Sequence, residues 1–565
     1  MGTIQAAAFA AGLVGLAHLR AIAPALRGVA VPGAPLDDGD TLYSLRLADD
    51  AWGWLRAAGS LSDVLAMPVR ARVLNALDLV VAVWPARALA ELVGAAPALA
   101  ALHVGLVMAA GAAGAVYARA LGTGVAGAAV GGIVAGASGM VLAVVGVGQY
   151  PQGLVLFPLL WFAGVARTWR GEGGGVALAV VGGAGSLLAY WLFAPILALG
   201  TAVLAAAAWT VAWGVGPRVG RGALVIGAGV AASVLPWALP VLGAAETKVA
   251  SVPWGTPFHA AAFWPDAAAH VVGEVPLATL LSPAAGWLPA LPLLFAAALG
   301  VRRATWPWLA LVLVGAVLAL GPLPMVPGLG APVPGLLEAV PAVPGWMDPA
   351  VLSHAERVDN LPYQVVYQWL PGASRMRHPL RWGVLLLAGL VPLVAFGVDR
   401  VARRARWPLV AAGAAWALIV GPWPLPSAAF PGDVVRALDG CAEVLYPALP
   451  RTTGGTMERV TRLDGLHGRP RYPRRFDPRG GVGDPPPDVV VTSGEREAML
   501  LRVAMGDTAG LAAGACLVVD PVVTLDADVV TAALTTALGA PVTVAFPAHT
   551  VDPVGPGELR VWRGR

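Results

Sequence analysis

Three carboxylates, Asp37, Asp38 and Asp40, fall within four residues of a chain in which only 12% of residues are charged. Adjacent carboxylates in a Gly-containing turn suit a hard divalent cation, Mg or Mn, whose preferred ligands are oxygens. One of them can instead take a proton from an attacking hydroxyl. A solvated loop built of ordinary turn residues is the third reading. A second group, Arg375, Arg377, His378 and Arg381, lies in the string Pro371 to Trp382, just before an apolar run. Arginines grip a phosphate or diphosphate through paired charge-assisted hydrogen bonds. The alternative is that each side chain snorkels to a lipid headgroup. The eight histidines are scattered without metal-ligand spacing, and no Gly-x-x-x-x-Gly-Lys loop occurs. Both facts argue against a zinc site and direct nucleotide hydrolysis.

The elements that position these groups are mostly apolar. The apolar fraction is 58% and the mean hydropathy +0.72. Residues 120–166, 173–217, 222–245, 275–301, 304–337 and 407–432 contain no Asp, Glu, Lys or Arg. A bilayer core takes about 20 apolar residues per helix, and a central charge costs roughly 2.5–3.5 kcal/mol. The pattern predicts a polytopic α-helical membrane protein with about eleven transmembrane helices. They fall at roughly 3–20, 98–120, 123–147, 152–166, 174–189, 192–214, 223–243, 284–301, 306–322, 381–399 and 407–424. Outer-membrane strands would alternate with period two, and these runs do not. The glycines within them, as at Gly131, Gly132 and Gly136, fit close helix packing.

The cations give an orientation. Arg119, Arg167 with Arg170, Arg218 with Arg221, Arg302 with Arg303, and Arg400, Arg403, Arg404 with Arg406 follow every second span. Such turns mark the cytoplasmic side. Loops 21–97, 244–283 and 323–380 and the tail are then outside. Nothing basic precedes the first span, while Arg20 and Arg27 follow it, and five concordant turns outweigh that one terminus. Residues 70–94 carry Asp78, Arg87 and Glu91 and are expected as an amphipathic helix in the outer interface; a tilted span with buried charges is the alternative.

Two domains follow: a transmembrane domain over 1–426 and an extracytoplasmic α/β domain over 427–565. In the tail, Val489–Thr492, Cys516–Asp520, Val542–Phe546 and Leu559–Trp562 read as strands, while Glu495–Met505 and Asp528–Leu538 have helical spacing. Residues 451–487, rich in Pro, Gly and Arg, read as a linker. Both cysteines, Cys441 and Cys516, fall here, and an oxidising compartment permits a disulfide between them; two buried thiols are the alternative. The net charge of +4 comes largely from arginine and forms no nucleic-acid-binding arm. Arginine together with abundant Ala, Gly and Val is also associated with high-GC bacterial genomes.

Four features together carry a family likeness. One span is followed by an acidic loop, Leu36–Thr41; an interfacial segment, Arg70–Gly94, ends in a Leu-Val-Gly turn. A span ends in Tyr117-Ala118-Arg119-Ala120-Leu121-Gly122, and Leu370-Pro371-Gly372 to Arg381-Trp382 precedes a late span. This arrangement resembles the GT-C superfamily of integral-membrane glycosyltransferases. The stretches Leu466 to Pro470, Ala513 to Pro521 and Leu538 to Val542 are similar to the small outer domain of bacterial members. The resemblance implies a polyprenyl-phosphate sugar donor, membrane lipid around the site, and inverting transfer to an acceptor glycan, lipid or protein on the outer face of the bacterial plasma membrane. Asp40, helped by Asp38, would be base or metal ligand, and the Arg375–Arg381 string would hold the lipid phosphate. A second acidic motif found in several of these families is not evident; Asp266 and Glu274 are the nearest substitutes. Two competing expectations remain: a transporter or flippase of lipid-linked glycans, and a catalytically silent scaffold of an envelope complex. A transporter calls for ionisable residues within spans, and 120–217 contains only Arg167, Arg170 and Glu172, all in one turn.

Overall fold

The structure is a computed structural model. It describes residues 2–26, 30–32, 85–86, 88–89, 92–93, 95–146, 153–190, 193–210, 223, 226–231, 291–319, 362–363, 365–366, 370, 373, 379–401, 403–420, 427–429, 432–438, 441, 443–445, 502–509, 511, 513–521, 526–546 and 557–564. The acidic loop, residues 70–84 of the segment expected at 70–94, and the segments expected at 244–283 and 451–487 lie outside the described residues.

Apolar runs become helices because a chain without water must satisfy its amides internally. The helices are α1 (Gly2–Leu26), α2 (Ala95–Ala120), α3 (Val125–Gly136), α4 (Gly139–Gly146), α5 (Leu156–Arg170), α6 (Gly175–Ala189), α7 (Phe193–Thr210), α8 (Leu291–Gly300), α9 (Trp306–Ala319), α10 (Gly383–Arg400) and α11 (Arg403–Val420). Four segments are long and apolar enough to cross a membrane: Gly2–Leu19, Pro97–Ala120, Val125–Leu142 and Gly383–Arg400. The bent pair α8–α9 makes a fifth if it counts as one span.

Three expected spans take a different form. The stretch expected at 123–147 is broken into α3 and α4 at Ala137 and Ser138. The buried Ser138 hydroxyl donates to Ala135 O and accepts from Val141 N, so it serves backbone groups at the break. Small residues on both sides let the chain reset its direction there. The stretches expected at 284–301 and 306–322 appear as α8 and α9, set 106° apart across the Arg302–Thr305 turn.

Helix α10 is buried along most of its length and packs on α3, α8 and α9. Helix α3 also meets α1, α2 and α11. Missing side chains set these distances: a Cβ on Gly132 would stand 2.6 Å from Gly111 O and 2.7 Å from Ala10 Cβ. On Gly136 it would stand 2.8 Å from Val107 O. Glycine at these points lets backbones meet, as the sequence suggested. One long tertiary hydrogen bond, Tyr117 Oη to Ala388 O at 2.7 Å, ties α2 to α10.

The arginine turns meet at one end of the bundle. Arg170 reaches Leu121 O at 3.4 Å, Arg400 donates to Leu299 O, and Arg406 donates to Asp399 O at 2.5 Å. Arg119 donates to Thr123 O, and Asp399 accepts from Gly124 N. Four of the five basic turns are thereby joined; Arg218 and Arg221 lie outside the described residues.

The opposite end carries a strand from each of the first loop and the tail. Helix α1 runs antiparallel to α2, with Gly2 beside Val125, Gly15 beside Met108 and His18 beside His103. It therefore delivers β1 (Ala30–Pro32) to the far end, where β1 pairs antiparallel with β2 (Ser427–Ala429). Beyond β2, α12 (Gly432–Leu438) and β3 (Glu443–Leu445) precede β4 (Ala515–Val519), α13 (Ala527–Leu538), β5 (Val542–Phe546) and β6 (Gly557–Arg563). The sheet order is β3-β4-β6-β5, with β3 parallel to β4 and the other pairs antiparallel. Alternate residues bury on opposite faces: Cys516 and Val518 pack with Leu438, and Leu517 and Val519 pack with Val530 and Leu534. Cys441 and Cys516 are joined by a disulfide, their Cα atoms 5.6 Å apart.

Candidate functional site

Of the candidate site residues read from the sequence, Arg381, Cys441 and Cys516 are described. Asp37, Asp38, Asp40, Arg375, Arg377 and His378 lie outside the described residues, as do Asp266 and Glu274. Arg381 is the informative one. It sits in the 3-10 turn Pro379–Trp382 that opens α10, and only 7% of it is exposed. Burying a guanidinium is costly unless its surroundings compensate the charge.

Those surroundings are aromatic. The Arg381 guanidinium carbon stands 5.2 Å from the centre of the Tyr190 ring, close enough for a cation–π contact. Tyr190 ends α6 in an extended conformation, its N–H donating to Ser186 O at 2.8 Å. Phe193, opening α7, presents its ring edge-on to Tyr190 at 5.3 Å. The tight α6–α7 connection thus fixes an aromatic floor under Arg381. Tyr363, buried and supplied by the long loop before α10, feels the same charge. Burial pushes its phenol above the ordinary value, and the Arg381 guanidinium opposes that shift. A guanidinium carries its N–H donors in its own plane, the geometry by which arginine holds phosphate oxygens.

Arg381 lies at the end of α10 remote from Arg400. The 18 residues of the helix put about 27 Å between the two ends. The buried cation therefore shares its end of the bundle with β1 and β2, not with the arginine turns.

A second polar feature lies within the apolar bundle. His18 on α1 and His103 on α2 are 2% and 1% exposed, their ring centres 6.1 Å apart. Their centres are too far apart for a direct ring-to-ring hydrogen bond, which brings imidazole centres to about 5 Å. His18 Nδ1 and both ring nitrogens of His103 lack a well-aligned hydrogen bond, although the Val145 backbone stands close to His103. Ionisable side chains at such positions are functional candidates.

Tyr190, Tyr363, His18 and His103 were not singled out in the sequence. The histidines had a signal, because each interrupts an expected span. The two tyrosines had none, since nothing local says which aromatic will meet a distant arginine. Among the described residues, no group of three or more His, Cys, Asp or Glu could hold a metal ion.

Comparison with protein-family models and with curated proteins finds no match for this chain. The functional reading therefore rests on its own residues.

Proposed function

We propose that this chain is a polytopic membrane glycosyltransferase of the GT-C kind, with about eleven spans. It would move a sugar from a polyprenyl-phosphate donor to an acceptor glycan, lipid or protein on the outer face of a bacterial plasma membrane. The observation that carries the proposal is Arg381, a buried guanidinium held on an aromatic face at the end of the bundle opposite the arginine turns. With those turns on the cytoplasmic side, Arg381, β1, β2 and the disulfide-bonded domain are extracytoplasmic.

The chemistry assigns each group a task. The acceptor oxygen attacks the anomeric carbon as the bond to the lipid phosphate breaks, with inversion. Asp40, helped by Asp38, takes the hydroxyl proton. The bonding pair leaves on the phosphate, whose charge Arg381, with Arg375, Arg377 and His378, stabilises. The carboxylates of Asp37, Asp38 and Asp40 also suit Mg or Mn, which would screen the phosphate charge. Asp40 follows Pro32 by eight residues, a reach of at most about 29 Å from β1. This tether supports a base at the same end as Arg381.

The test is transfer of radiolabelled sugar from a polyprenyl-phosphate donor in membranes containing the protein. Transfer that is lost in Asp40→Asn with the protein still folded supports the proposal. Transfer that is absent, or unaffected by that change, refutes it. The transporter reading draws on one observation, the His18–His103 pair within the bundle. Uptake or flipping of a lipid-linked glycan that requires both histidines, without transfer, would favour it. If neither activity is found, the scaffold reading remains.

A further inference from the structure

Nine arginines crowd the described part of one bundle end, and they divide into two kinds. Arg119, Arg167, Arg170 and Arg406 are half-buried, with guanidinium hydrogen bonds to turn carbonyls. Arg302, Arg303, Arg400, Arg403 and Arg404 are exposed. These five come from only two turns, α8–α9 and α10–α11. Arg400 binds the turns together by donating to Leu299 O and, at 3.5 Å, to Val301 O. Arg302 lies over the Phe396 ring at 5.7 Å, which holds its turn against α10.

The charge in this corner is one-sided. Neither 291–319 nor 400–420 contains an Asp or Glu. Among the described residues, Asp399 on α10 gives one carboxylate oxygen to Gly124, and Glu172 pairs with Arg167 at 3.5 Å and Arg170 at 3.8 Å. Large apolar side chains flank the cations. Trp407 is 71% exposed, Phe295 60%, and Trp306 41%. Indoles at this level suit the boundary between headgroups and acyl chains.

We infer that the corner formed by the α8–α9 and α10–α11 turns is a binding site for an anionic phospholipid. Its phosphates would be held by Arg302, Arg303, Arg403 and Arg404, and its chains would lie along Phe295, Trp306 and Trp407. A soluble phosphate would use the guanidiniums but gain nothing from the exposed aromatics, so the lipid fits the whole surface. Scattered snorkelling arginines would predict only a general preference for charged membranes. A built corner predicts retention of particular lipid molecules through purification. The site lies remote from Arg381 and does not depend on the activity proposed above.

The test is native mass spectrometry of the full-length protein in detergent, after mixing with equal amounts of cardiolipin and phosphatidylcholine. Wild type is expected to retain cardiolipin at least ~10-fold over phosphatidylcholine, about 1.4 kcal/mol. The variant with Arg302, Arg303, Arg403 and Arg404 all changed to Gln should lose that preference. The matching four-Lys variant keeps the charge and should retain it, which shows that substitution at these positions is compatible with folding. Equal retention of the two lipids by wild type overturns the site, as does undiminished cardiolipin on the Gln variant or its loss from the Lys variant. Displacement by millimolar pyrophosphate would also overturn it, because the corner would then read soluble phosphate.

Discussion

The carboxylate of Asp399, one residue before the end of α10, accepts the N–H of Gly124, the residue that caps α3. Gly124 has no side chain to cap its own helix, so a carboxylate more than 270 residues away does so. A negative charge at a helix N-terminus also meets the positive end of the helix dipole. Removal of a capping oxygen costs about 1 kcal/mol. Asp399→Ala should therefore lower the melting temperature in detergent, and Asp399→Asn, which keeps an acceptor, should lower it less. Equal melting of all three proteins would remove the capping role.

Helix crossings at glycine make a sharper contrast. A Cβ on Gly397 would stand 1.6 Å from Ala296 O, so even alanine must drive α8 and α10 apart. A Cβ on Gly12 meets nothing within 4 Å. Gly397→Ala should reduce the yield of monodisperse protein, whereas Gly12→Ala should be neutral or stabilise by up to about 1 kcal/mol through helix propensity. Size-exclusion profiles and thermal melts of the two variants decide it. Similar behaviour would mean that the α8–α10 contact is looser than described.

The Cys441–Cys516 bridge closes a loop of 75 residues. On the chain-entropy model such a cross-link stabilises by roughly 4 kcal/mol. Cys441→Ser should make the tail sensitive to limited proteolysis at concentrations that leave wild type intact. The bridge also reports on compartment. Maleimide labelling of protein denatured directly from cells should find no free thiol, because the tail is proposed to face an oxidising space. Two free thiols would place it in the cytoplasm.

Topology can be tested without reference to activity. With Cys introduced at position 403, labelling by an impermeant reagent is expected only after permeabilisation. With Cys at position 433, it is expected in intact cells. Labelling at 403 in intact cells would invert the proposed orientation.

Local chemistry was legible in the sequence; register was not. The strand expected at Val542–Phe546 is β5, and the expected Asp528–Leu538 helix is α13 apart from one residue at its start. In both, period and turn residues are local signals. The one-sided arginines were legible for the same reason, and their turns do meet. The break at Ala137–Ser138 was hidden because Gly, Ala and Ser are as common in packed spans as at breaks. The β1–β2 pair joins a three-residue segment near the start of the first domain to one that opens the second, far below what pattern can detect. His18 and His103 meet only because α1 and α2 pack in one particular register. Arg381 was legible as a candidate phosphate ligand, whereas its aromatic floor required the α6–α7 connection in three dimensions.

That floor yields the last prediction. If Arg381 holds the donor phosphate as proposed, Tyr190 acts through it as a positioning residue, its ring centre 5.2 Å from the guanidinium carbon. Tyr190→Phe keeps the aromatic face and should preserve donor affinity. Tyr190→Leu keeps bulk but removes the face, and a desolvated cation–π contact is worth about 1–2 kcal/mol. The apparent KM for the polyprenyl-phosphate donor should then rise about 5- to 30-fold, with kcat changed much less. Arg381→Ala should weaken donor binding further, and in that background Tyr190→Leu should add little, because the two substitutions remove one interaction. A purely structural Tyr190 would instead lower stability and leave KM alone in the protein that still folds. Additive losses in the double variant would likewise separate the tyrosine from the arginine.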